Sequence, residues 1–175
     1  SANPITATYN GNTNYNAASA STTRAVTKAS PSSTVTSSSN PATYGATITF
    51  TDTLPTSVTG TVTFTAGATV LGTSNVVNGV ATISSSTIAV GNTTITATYN
   101  GDGNNNASVD SLVQAVNKAA PSIALASSAN PALISQSVTF TATLPTNVTG
   151  TVTFTDGANT LGTSTVTNGV ATVST

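Results

Sequence analysis

Val58-Thr-Gly-Thr-Val-Thr-Phe-Thr65 returns letter for letter as Val148-Thr-Gly-Thr-Val-Thr-Phe-Thr155, and Ile5-Thr-Ala-Thr-Tyr-Asn-Gly11 returns as Ile95-Thr-Ala-Thr-Tyr-Asn-Gly101. Both recurrences fall at an offset of 90 residues. Within each phrase apolar and hydroxyl side chains alternate, which puts Val62 and Phe64 on one face of an extended chain and Thr61, Thr63 and Thr65 on the other. A period of two is the pattern of a strand with one face buried. Threonine suits the wet face because its branched Cβ fits a pleated surface while its hydroxyl meets water. Aligning Lys28–Ser85 with Lys118–Thr175 gives 37 identities in 58 positions, so the phrases belong to a duplicated unit of about 90 residues.

The same alternation runs through the rest of the unit, with no apolar stripe at helical spacing. It predicts strands A (34–39), B (46–54), C (60–65), C′ (69–76), E (80–85), F (93–99) and G (109–116). Turn signals at Asn40-Pro41, Leu54-Pro55, Ala66-Gly67, Asn78-Gly79, Gly91-Asn92 and Asn100-Gly101 separate them. Seven short antiparallel strands in about 90 residues fit an immunoglobulin-like β-sandwich. The expected fold class is therefore all-β, with tandem sandwiches. Residues 1–27 read as the F–G portion of one repeat, 28–117 as a complete repeat, and 118–175 as the A-to-E portion of another. Joined back to front, the two incomplete pieces make a second unit lacking only the counterparts of Ser86 to Val90.

Composition narrows the chemistry. With 37% hydrophobic residues and 13 Gly, the apolar share reaches about 45%, that of a globular chain rather than a disordered one. Three Lys/Arg and four Asp/Glu leave a net charge of −1, too little cationic charge for nucleic acid or a polybasic membrane contact. The sequence has no His and no Cys, and its few acids are scattered, so no catalytic residue, metal or cofactor is expected and the chain does not read as an enzyme. No segment approaches the length of an apolar membrane span.

The unit resembles the bacterial immunoglobulin-like repeat of long secreted and cell-surface proteins. The resemblance rests on Asn130-Pro131 before strand B, Val138–Ala142 in B, Gly150–Phe154 in C, Leu161–Thr163 after it, and Ile95–Asp102 with Asn104–Asn106 in F and its loop. It implies an extracellular or cell-surface location and a role as stalk, adhesin or matrix protein. It brings no catalytic residue. The first copy departs from it by reading Gly11-Asn12-Thr13 where the second has Gly101-Asp102-Gly103.

A few residues stand out. Tyr9 and Tyr99 fall in phase with Ile5, Ala7 and Ile95, Ala97, on the core face, where a phenol hydrogen-bonds locally in the manner of a tyrosine corner. Asp52 falls in phase with Ile48, Phe50 and Leu54, and the next copy has Ala142 there. A bulge or frayed strand end that lets the acid reach water is the favoured reading, against an acid assisting an isopeptide bond from Lys28. Asp102 with Asn104, Asn105 and Asn106 reads as a solvated turn in preference to a Ca²⁺ site, because one formal charge is too few. Tyr15 and Tyr44 are the aromatics expected to be exposed, a slender basis for glycan binding. The sequons at Asn92, Asn106 and Asn147 are not repeated between copies.

The incomplete pieces suggest how the protein works. Residues 118–175 without F and G would bare the acceptor core Val138, Phe140, Val152 and Phe154, and residues 4–27 are a two-stranded hairpin, marginal alone. Strand complementation satisfies both, with Ile5, Ala7, Tyr9, Ala25 and Val26 as the donor set. The expected partner is another copy of the chain, added head to tail into an extracellular filament. The alternatives are one stretch of a continuous tandem-repeat adhesin or matrix protein, and a carbohydrate-binding adhesive module with cell-surface or matrix glycans as partners.

Overall fold

The computed structural model describes residues 2–175, and the chain divides into two compact units, one extending to Lys118 and one from Ala119 to Thr175. Every regular element among the described residues is a strand. In the first unit, β1 (Ala2–Tyr9) and β2 (Ala18–Ala25) form a hairpin that is a two-stranded sheet by itself. The sandwich follows. One sheet is β3 (Thr34–Ser37), β5 (Ile48–Thr53) and β8 (Val80–Ser85), in the order β3-β5-β8. The other comprises β4 (Ala42–Thr43), β6 (Thr61–Ala66), β7 (Thr69–Asn75), β9 (Gly91–Tyr99) and β10 (Ser108–Asn117), in the order β4-β10-β9-β6-β7.

The alternating pattern dictates the core. Ile48 and Phe50 on β5 meet Val62 and Phe64 on β6 and Ile95, Ala97 and Tyr99 on β9, all of them buried. Their intervening threonines form hydroxyl pairs on the outer faces, Thr63 with Thr73 at 3.2 Å and Thr49 with Ser84 at 2.8 Å. The Asn78-Gly79 turn has φ of 52° and 78°, the left-handed pair that a two-residue hairpin requires. Val77 and Val80 exchange both backbone hydrogen bonds across it, and the Gly79 carbonyl accepts from the Leu54 amide at 2.7 Å. A Cβ at Gly79 would collide with the Leu54 carbonyl oxygen.

The second unit contains β11 (Ala124–Ser127), β12 (Thr139–Thr143), β13 (Thr151–Asp156), β14 (Asn159–Thr165) and β15 (Val170–Ser174). These make a three-stranded sheet β11-β12-β15 and a two-stranded sheet β13-β14. Ala142, Phe154, Val166 and Ala171 form its small core.

Two expectations need correction. The pattern missed β4, a two-residue strand that pairs parallel to β10, Ala42 with Val116 and Thr43 with Asn117. Too short to carry a period, it exists because β10 supplies the edge. Among the described residues no strand forms at 132–133, where the second unit has no such edge. Tyr9 was expected on a core face and is 47% exposed, because β1 and β2 pair only with each other and present both faces to solvent.

Candidate functional site

The second unit carries an open apolar cleft of about 610 Å³ between its two sheets. Ile123, Leu125, Phe140, Ala142, Val152 and Phe154 line it. Leu125 is 69% exposed, whereas Val35 at the corresponding place in the first unit is 6% exposed. The difference is coverage. In the first unit β9 closes this side by pairing antiparallel with β6, Val62 opposite Tyr99 and Phe64 opposite Ala97. Strand β13 pairs with β14, and among the described residues no strand lies on its other edge. Of the expected acceptor residues, Phe140, Val152 and Phe154 line the cleft, and Val138 is buried at its end of the sheet, its backbone exchanging hydrogen bonds with Thr175.

The hairpin has the complementary character. Its register sets Tyr9 opposite Ala18 and Ala2 opposite Ala25, the pairing seen between Tyr99 and Ser108 and between Asn92 and Ala115 in β9–β10. Ile5, Ala7 and Tyr9 share one face of β1 by alternation and are exposed. On β2, Ala18, Ala20, Thr22 and Arg24 share a face and Ala25 lies on the opposite one. Sequence reading passed over Ala18 and Ala20; the signal was their 90-residue correspondence to Ser108 and Asp110, two polar residues with inward-facing side chains.

Asp52 is where the structure departs most from expectation. It sits in unbroken register on β5 opposite Ala81, is fully buried, and does not reach water through a bulge. Its Oδ1 accepts from the Ser33 hydroxyl at 2.7 Å, and its Oδ2 has no hydrogen-bond partner. Burial pushes its pKa above the ordinary 3.8; the Ser33 hydrogen bond pulls it back, the charge of Asp110 on β10 pushes it further up, and the backbone amides of Thr34 and Thr53 act with Ser33. Asp110 in turn accepts from the Val35 amide at 2.8 Å. Lys28 does not serve an isopeptide bond here, because its ammonium donates to the Asp102 carbonyl. Ser108, two residues before Asp110 on the same face of β10, has a buried hydroxyl with no partner.

Asp102 is more than a solvated turn residue. Oδ1 accepts from the amides of Asn104 and Asn105, both at 2.7 Å, and Oδ2 from the Thr59 amide at 3.1 Å and hydroxyl at 2.9 Å. The Asn105 side-chain amide lies 3.0 Å from each oxygen. These donors, the Asn105 side chain and the Asn104 amide foremost, hold the carboxyl well below the usual carboxylate range. The loop so fixed grips the incoming chain: Ala29 N–H donates to the Asn104 carbonyl at 2.9 Å and Asn106 N–H to the Ala29 carbonyl at 2.8 Å. Tyr99 behaves as expected, its hydroxyl donating to the Thr59 carbonyl at 2.7 Å from a fully buried ring. Tyr15 and Tyr44 are exposed, as expected.

Two facing sheets, β3-β5-β8 and β4-β10-β9-β6-β7, and a buried tyrosine anchored to the opposite turn define an immunoglobulin-like β-sandwich. Residues 35–117 match the bacterial Ig-like domain, group 3. No protein of curated function matches the sequence. One solved structure, described as "Structural insight into host cell surface retention of a 1.5-MDa bacterial ice-binding adhesin", is 19% identical with a TM-score of 0.41. The match covers 94% of this chain and 60% of that one.

Proposed function

We propose that the protein is a non-catalytic structural component of an extracellular bacterial filament or stalk made of Ig-like sandwiches. In it a β1–β2 pair completes the open sandwich of residues 119–175 in a neighbouring copy. The observation that carries this reading is the match between a bare apolar cleft and an exposed hairpin whose register repeats that of the β9–β10 pair covering the same face in the first unit, with Ile5–Tyr9 identical to Ile95–Tyr99. Carrying the β6–β9 register over by 90 residues pairs β1 with β13, Tyr9 opposite Val152 and Ala7 opposite Phe154. Such addition supplies backbone hydrogen bonds along the edge and side chains to the core.

The inventory supports the role. A surface of threonine, serine and asparagine with a net charge of −1 carries neither the groups of an active site nor those of a nucleic-acid interface. A second reading, one stretch of a continuous tandem array, is favoured by the way Asn117 runs straight into Lys118 at the start of the next sandwich. Native material imaged as fibres that strong denaturant reduces to short subunits of one mass supports strand exchange. A giant polypeptide in denaturant supports the continuous array instead, and a monodisperse monomer at high concentration rejects both.

A further inference from the structure

The two sandwich faces differ in a set of positions that change together. In the first unit Ser33, before β3, donates to the buried Asp52 on β5, and Ser108 and Asp110 stand half-buried on the inward face of β10, the charge of Asp110 acting on Asp52. Ninety residues away in each case stand Ile123, Ala142, Ala18 and Ala20. Ile123 and Ala142 line the open cleft of the second unit, and Ala18 and Ala20 share the β2 face that matches the core face of β10. At these four positions polar residues have given way to apolar ones, divided between the cleft and the hairpin; elsewhere on the same faces Asp156 stands for Ala66 in the cleft and Arg24 for buried Gln114 on the hairpin.

Resting on the proposed strand complementation, we infer that these four positions form a pairing code that determines which strand pair completes which sandwich, and that the occupant of the cleft is a β1–β2 pair of a second copy. The physical basis is desolvation. A β9–β10 pair seated on the second unit would bury the Asp110 carboxylate against Ile123 and Ala142, with no Ser33 or Asp52 beside it. A β1–β2 pair seated on the first would lay two alanines over a buried carboxyl already lacking one partner. A buried polar group is tolerated where its neighbours are polar and penalised where they are not. An array of nearly identical sandwiches needs such a discriminator, because the main-chain pairing and the Ile-Thr-Ala-Thr-Tyr strand are common to both.

The test uses the full chain and two readouts. In the first, A18S/A20D should abolish assembly seen by sedimentation and fibre imaging, and adding I123S/A142D should restore it. Assembly of A18S/A20D at the native level overturns the code while leaving strand complementation standing. In the second, the first unit alone is interrogated through its thermal unfolding. S33I/D52A/S108A/D110A should melt above both S33I/D52A and S108A/D110A, by about 5 °C or more. Additive shifts with no such ordering overturn the code even if the native chain never assembles, an outcome that would separately reject the proposed function.

Discussion

Asp52 sits in a site closed to solvent, and burial outweighs the hydrogen bonds that reach its carboxyl, which decides its response to pH. Its carboxyl is raised above 3.8 by burial foremost, so the fold prefers the protonated acid. The stability this contributes is fully present below the ordinary value and is lost as pH climbs through the higher folded value. Asp102 works in the opposite sense: held below the usual range by Asn105 and Asn104, it contributes above 3.8 and its contribution is lost as pH falls. Asp52→Asn keeps the shape, accepts the Ser33 hydroxyl and removes the buried acid. Thermal melts should show it more stable than the native chain at pH 7 by about 1 kcal/mol, or about 4–8 °C, with no decline between pH 4 and 7. A variant that melts lower at pH 7 would mean the acid is satisfied in the folded protein.

At the level of elements, the loop between β9 and β10 acts as a clasp on the chain entering the sandwich. Asp102→Ala removes the acceptor that fixes it, so hydrogen exchange should speed up at the amides of Thr59, Asn104 and Asn105, and at Ala29 and Asn106, which bond through the loop. Exchange confined to Asn104 and Asn105 would mean that the linker is held independently. Strand β4 yields a second expectation. In the first unit the Tyr44 amide donates to the Asn117 carbonyl at 2.8 Å beyond the β4–β10 pairs. Ile134, at the corresponding place, is 99% exposed. When a β1–β2 pair seats, Ile134 N–H should become protected from exchange, and unchanged protection in assembled material would place the hairpin elsewhere.

These elements also mark how far sequence reading extends. The strands Thr61–Ala66 and Val80–Ser85 were legible to within a residue because alternation is a local property. Strand β4 was not, since its two residues depend on an edge contributed by β10. Phase placed Asp52 inward, yet its surroundings come from Ser33 and Asp110, on segments that only the folded sandwich brings together. The cleft was legible in Phe140 and Phe154. Ala18 and Ala20 were not, because an alanine has no chemistry of its own and gains meaning only from what it faces.

For the molecule as a whole, the exposed apolar surface of the second unit and of the hairpin is the feature that any assembly must remove from water. With a net charge of −1, two copies are neither steered together nor held apart by long-range fields. Fibre formation should therefore vary little between about 0.01 and 1 M salt, where the Debye length falls from about 30 to 3 Å. Burial is left as the driving force, and Ala7 is where it can be tested most cleanly. Ala7 is exposed on β1, while Ala97, its counterpart, is fully buried against Phe64 in the paired register. Ala7→Arg leaves the complete sandwich untouched, so its melting temperature should not move. The same change drives a long charged side chain into the cleft opposite Phe154, across from Ala20 where the first unit sets Asp110 opposite Ala97, and although Asp156 lines the cleft, the added volume and the desolvated charge both oppose seating. Assembly should be lost at every salt concentration. Fibres of native length from Ala7→Arg would show that β1 does not enter the cleft, and the apolar face of residues 119–175 would then have to be covered by a different stretch of chain.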